Sequence, residues 1–199
     1  MAACGLILIR VDLPMVLVTG LSLAAAAGLN AYIPLLVVGL LARFDIVPLE
    51  APYNLLASTP VLIIVAVLLA IEVFADKIPA VDSVNDVVQT FIRPVAGGLL
   101  FAASVNIGGD WVKIAAIVLG VVTAGGVHAA KATARPVINV GTAGVGAPVA
   151  STAEDLLSTG LSVTAVLAPI VALVLLVLLL VLIVRALTSR RRRRASVET

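Results

Sequence analysis

Little in this 199-residue chain is charged, aromatic or thiol-bearing. Asp, Glu, Lys and Arg make up 12% of it, against about a quarter in soluble domains. With so few charges the chain cannot cover a water-facing surface of its size. Aromatic residues, at 4%, are too few for a base-stacking surface, which removes nucleic acid as a partner. The one cysteine, Cys4, cannot form an intrachain disulfide and stands outside any ligand-like cluster. No Walker-type glycine loop, HExxH string, Cys/His cluster or serine with a credible base occurs. No cofactor or metal is therefore expected, and catalysis is left open only through paired membrane carboxylates that could hold a metal.

What the chain has is apolar length. Hydrophobic residues make up 62% and the mean hydropathy is +1.23. Lipid is the natural solvent for such a composition. The expected fold is all-α, a polytopic transmembrane helix bundle forming one domain over residues 1–187, with a basic tail over 188–199. The N-terminus has some look of a signal peptide. Arg10 and Asp12 interrupt its first apolar stretch and the second runs on past Ala27, so it reads as uncleaved, with Met15 as an alternative start.

A membrane-crossing helix needs about 20 residues. Segments fall at about Pro14–Leu41, Leu56–Phe74, Asp82–Asn106 and Trp111–Ala130, and a final one contains the charge-free run Val163–Val184. The stretch 136–150, PVINVGTAGVGAPVA, is either a thin crossing or a re-entrant loop. Basic residues favour the cytoplasmic side. Arg190, Arg191, Arg192, Arg193 and Arg194 put the C-terminus there, on the anionic headgroups of membrane lipids. Arg10, Lys77, Lys131, Arg135 and Arg185 join them if residues 136–150 cross. The count is then six, with both termini cytoplasmic in a cell (inner or plasma) membrane.

The halves, about 15–106 and 111–187, share a pattern. Asp82, Asp86, Gln89 and Arg93 correspond to Ser151, Asp155, Ser158 and Ser162, each at spacing 0, 4, 7, 11 along one helical face. Ala27–Ala31 (AGLNA) similarly matches Gly125–Ala129 (GGVHA). Three crossings between equivalents would make this a 3+3 inverted repeat, a frequent transporter architecture.

GLNAYIPLL in the first segment, ADKIPAVD and FIRPVAG around the third, and HAAKATAR in the fourth carry a family likeness. Over about residues 15–165 the chain resembles a bacterial multi-pass membrane-protein family, domain of unknown function 4126. ADKIP-x-VD is the most specific string. The resemblance implies a polytopic helical protein and brings no activity.

Function therefore rests on the residues. Glu72, Asp76, Lys77, Asp82, Asp86 and Arg93 crowd into the stretch 72–93 of an apolar chain. Each intramembrane charge costs roughly 2.5–3.5 kcal/mol on insertion scales and marks a candidate site. Asp82 reads as an N-cap of the third segment, and Ser151 of the last. Capping needs one residue, yet Asp86, Gln89 and Arg93 continue along the same face. Arg93 lies about 16 Å along the helix from Asp82, so it should pair with Glu72 or Asp76. His128, Lys131 and Arg135 share another face at spacing 0, 3, 7, with His128 a candidate proton relay. Asn30 offers hydrogen bonding at the centre of the first segment.

The substrate- or ion-binding candidates are thus Glu72, Asp76, Asp82, Asp86, Gln89, Arg93, Asn30, His128, Lys131 and Asp155. The expectation is a transporter- or channel-like protein moving a small solute or ion, with a membrane scaffold and a lipid-acting enzyme as rival readings. A second copy of the chain remains open as a partner.

Overall fold

The computed structural model describes residues 13–76, 78–105, 109–142 and 145–195. Met1, Arg10, Asp12, Lys77 and Asn106 lie outside them. Seven α-helices and no strands occur among the described residues: α1 Leu13–Leu29, α2 Tyr32–Arg43, α3 Thr59–Ala75, α4 Pro79–Ser104, α5 Asp110–Gly141, α6 Gly146–Leu167 and α7 Pro169–Ala195. A short 3₁₀ turn, Tyr53–Ala57, precedes α3.

Local chemistry sets the boundaries. Asn30 ends α1 and, just before the N-cap Ala31, serves the first turn of α2, its Oδ1 accepting from the amides of Tyr32 (3.1 Å) and Ile33 (3.2 Å). The expected first segment is therefore two helices. Prolines open three others, Pro60 in α3, Pro79 in α4 and Pro169 in α7, where a missing amide hydrogen costs nothing. Asp82 is consequently not a cap. Ile78 holds that position and Asp82 lies within the first turn of α4, where the helix dipole still favours an acid. Ser151 is likewise inside α6 and not at its start.

The stretch 136–150 does not form a crossing of its own. The α5 helix runs through Pro136 to Gly141, and α6 begins at Gly146. Two helical stretches, Val84–Ser104 (21 residues) and Asp110–Ile138 (29 residues), are long and apolar enough to cross a membrane. Leu13–Leu29, Tyr32–Arg43, Thr59–Ala75 and Pro169–Leu182 are shorter apolar helices.

The α1 helix is the hub, and Ala24 to Ala27 are wholly buried on it. Contacts fix the helix directions around it. Gly20 meets Phe101 while the Gly28 carbonyl accepts from Arg93, so α4 runs opposite to α1. Val127 packs on Gly28 and Lys131 reaches the Leu29 carbonyl, so α5 runs with α1. Thr19 donates to the Ala165 carbonyl and Ser158 to that of Ala26, so α6 is opposed. The α7 helix turns back, its Leu176 and Leu179 packing with Ala25, Ala26 and Leu29. The proposed equivalents, α1 with α5 and α4 with α6, therefore run in the same direction. Inversion would require opposite directions. The break at Asn30 and the direct α5–α6 connection change the number of legs between equivalents, and inversion depends on that number. For the same reason Leu13 and Arg185 fall at opposite ends of the bundle.

The pairing of α4 with α5 depends on small residues. A Cβ on Gly97 would sit 2.8 Å from the Gly120 carbonyl oxygen, and one on Gly120 would collide with the Gly97 carbonyl. Backbones approach this closely only without side chains. Outside, the polarity is the reverse of a water-soluble protein: Phe74, Phe91, Val95 and Trp111 are exposed while Arg93, Glu72 and Asp76 are buried. Gly120→Leu should force α4 and α5 apart and lower stability by about 1–3 kcal/mol or more, read as earlier heat aggregation in detergent. Gly126, which has open space at its Cβ, should accept Ala unchanged. A Gly120→Leu protein as stable as its parent would contradict the contact.

Candidate functional site

Every helix from α3 to α6 sends charge towards the C-terminal end of α1. That end is a natural cation site, because the last carbonyls of a helix lack amide partners and carry the negative end of its dipole. Arg93 Nη1 reaches the Gly28 carbonyl at 3.5 Å, and Lys131 Nζ reaches that of Leu29 at 3.3 Å.

The matching acids come from the end of α3. Glu72 and Asp76 are one turn apart, at a helix C-terminus where the dipole disfavours anions. Cations must compensate them. Arg93 Nη2 meets Glu72 Oε1 at 2.8 Å, as its depth requires, and Asp76 Oδ2 at 4.0 Å. Lys131 lies 3.0 Å from Asp76 and 3.1 Å from Glu154. Arg135 lies 3.5 Å from Asp76 and 2.6 Å from Glu154. Asn85 adds a 3.0 Å hydrogen bond to Asp76 Oδ1. Three cations thus face three anions, and Asp76 joins all three cations. Arg93, Glu72 and Asp76 are 0%, 1% and 2% exposed, so water screens none of them.

His128 is fixed by its neighbours. Arg93 Nη1 lies 3.0 Å from Nδ1, and a guanidinium can only donate, so Nδ1 accepts. The remaining hydrogen is then on Nε2 and is given to Thr90 Oγ1, 3.0 Å away. Thr90 in turn donates to the Asp86 carbonyl at 2.8 Å. The ring is a neutral bridge between the Arg93 guanidinium and the α4 backbone.

The other candidates flank this network. Asn30 Nδ2 donates to Asp155 Oδ1 at 2.9 Å, so one side chain serves the first turn of α2 and ties α6 to the break. Asp86 is half-buried, and its buried Oδ1 has no hydrogen-bond partner among the described residues. Gln89 is buried, with Oε1 in the same condition. Asp82 belongs to α4, and its side chain lies outside the described ones. Ser151, Ser158 and Ser162 are all buried, so both polar stripes face inward.

Sequence reasoning left Glu154, Asn85 and Thr90 out of the site, and placed Arg135 only on a shared face. The 0, 3, 7 spacing of α5 was the signal for Arg135. Glu154 had a weaker one, as an acid beside Asp155 in an apolar segment.

The chain matches the family described as Domain of unknown function (DUF4126) over residues 17–189 and belongs to it. No curated protein and no solved structure matches the chain.

Arg93→Ala should cost about 3–5 kcal/mol, because it strands Glu72 in a dry interior. Replacing both partners, Arg93→Met with Glu72→Leu, should recover most of that loss, since two cations and two anions remain. Thermal aggregation in detergent measures both. A double variant no better than the single would mean that Arg93 acts mainly through Gly28 and His128.

Proposed function

We propose that this DUF4126 member is a multi-pass membrane protein of transporter or channel type. It moves a small solute or ion along the polar interior around the α1–α2 break. The observation that carries the reading is that break. The turn at Asn30, where α1 gives way to α2 within an apolar bundle, is met by charges from four other helices. In lipid, irregular backbone is tolerated only where protein or a cavity surrounds it.

Several features support a membrane setting. Two helices have spanning length, large apolar side chains lie outside, and Glu72, Asp76, Arg93, Lys131 and Arg135 are inside. Leu29, beside the network, packs with Leu176 and Leu179 of the charge-free α7 run. The five arginines 190–194 extend α7 at one end of the bundle. There they would rest on anionic headgroups on the cytoplasmic side.

The halves are read as a parallel repeat, about an axis along the bundle. Thr90 bonds the Asp86 carbonyl at 2.8 Å, and Thr159 bonds the Asp155 carbonyl at the same distance. Asn30 of the first half holds Asp155 of the second, while His128 of the second half reaches Thr90 of the first. Asp86 and Asp155 occupy matching places on α4 and α6, two helices that pack on α1 and run in the same direction. They are the groups assigned to the moving cation or proton.

The rival reading is a scaffold, favoured by the saturation of the ion pairs. Flux separates the two. Reconstituted protein carrying Asp86→Asn and Asp155→Asn should lose the pH-dependent solute or ion movement of the parent. Equal flux in parent and double variant would leave the scaffold ahead. Reporter fusions after Ala195 should report the cytoplasm, and those inserted before Leu13 the opposite side. A cytoplasmic signal at both would overturn the seven-helix orientation.

A further inference from the structure

The ion pairs leave one corner of the network unused. Arg93 takes Oε1 of Glu72, but Oε2 is buried without a hydrogen-bond partner among the described residues. Gln89 lies one turn before Arg93 on α4. It is 2% exposed, and its Oε1 is also buried without a donor. Asn85 and Arg93, four residues to either side of it on the same α4 face, meet Asp76 and Glu72 at the end of α3, so Gln89 faces the same corner. So α3 and α4 bring two buried acceptor oxygens to one corner, with no donor for either among the described residues. Such orphaned acceptors are rare in folded proteins and call for a missing partner.

The chemistry of that partner is narrow. A calcium or magnesium ion needs about six or more oxygens, and Arg93 already holds the other oxygen of Glu72. One proton suffices. On Oε2 it turns the carboxylate into a donor, and its hydrogen bond goes to the free Oε1 of Gln89.

We propose that Glu72 is a proton-binding site, the proton being held between Glu72 Oε2 and Gln89 Oε1. The charged groups facing it are Arg93 from α4, Lys131 from α5 and Asp76 from its own helix, with the Tyr32 phenol from α2. Uptake leaves three cations against two anions. It weakens the hold of Glu72 on Arg93, which also bonds the Gly28 carbonyl just before the helix break and Nδ1 of His128. Proton binding would thereby act on the break itself. This deepens the transport reading by naming its coupling ion, and it is measured without transport.

The test is difference infrared spectroscopy of the purified full chain in nanodiscs, stepping the pH from acid to mildly alkaline in light and heavy water. A protonated-carboxyl stretch should appear in acid, shift in heavy water and vanish towards alkaline pH. It should be absent from Glu72→Gln, whose amide supplies a permanent donor. Gln89→Leu removes the acceptor, so the band should titrate at more acid pH, with about tenfold weaker proton affinity. The absence of a titrating band in the parent overturns the proposal. So does a band that persists in Glu72→Gln or ignores Gln89→Leu. If Glu72→Gln fails to fold, Gln89→Leu still decides. A titrating Glu72 in a protein that moves no solute keeps the site and discards only the transport reading.

Discussion

Asp76 has to be neutralised where it stands, and much of the structure follows from that requirement. A buried carboxylate at the C-terminus of a helix faces both the loss of water and an adverse dipole. Lys131, Arg135 and Arg93 approach it from α5 and α4, and Asn85 completes its hydrogen bonding. Arg93 and Lys131 also answer the open carbonyls at the end of α1. One cluster of charge therefore serves two helix ends, and four helices are held in register around them.

Close packing makes that register attainable. Arginine and lysine side chains can reach the α1 end only if α4 and α5 lie against α1 and each other. Gly97, Gly98 and Gly120 bring the α4 and α5 backbones together, while the alanines of α1 let its neighbours draw near. Without a hydrophobic force between helices in lipid, such small-residue contacts and buried polar bonds supply much of the association. Specificity follows from the same arrangement. Removing one charge leaves its partner stranded, so an alternative register is penalised several-fold more than an apolar contact would be.

The balanced network also gives meaning to the groups left over. Asp86 keeps a buried Oδ1 without a hydrogen-bond partner among the described residues. Gln89 and one oxygen of Glu72 are buried with hydrogen-bonding capacity to spare. A purely structural core would be expected to use that capacity. These are the places where the molecule departs from the most stable arrangement, and they lie around one helix break.

From the residues alone follow an all-α, apolar chain, a polar stripe along one face of α4, and the need of Arg93 for Glu72 or Asp76. Each follows from short-range facts: hydropathy, helical spacing, and the cost of an unpaired charge away from water. Tertiary structure decided the rest. Asn30 splits the first segment because its side chain serves the first turn of a new helix, while Pro136 fails to split α5; hydropathy treats both stretches as continuous or broken without seeing those bonds. Helix direction depends on every such break, so inversion of the repeat could not be judged before the breaks were known. Glu154 and Arg135 meet only because α5 and α6 fold back to back, and partners 19 residues apart on separate helices leave no local trace.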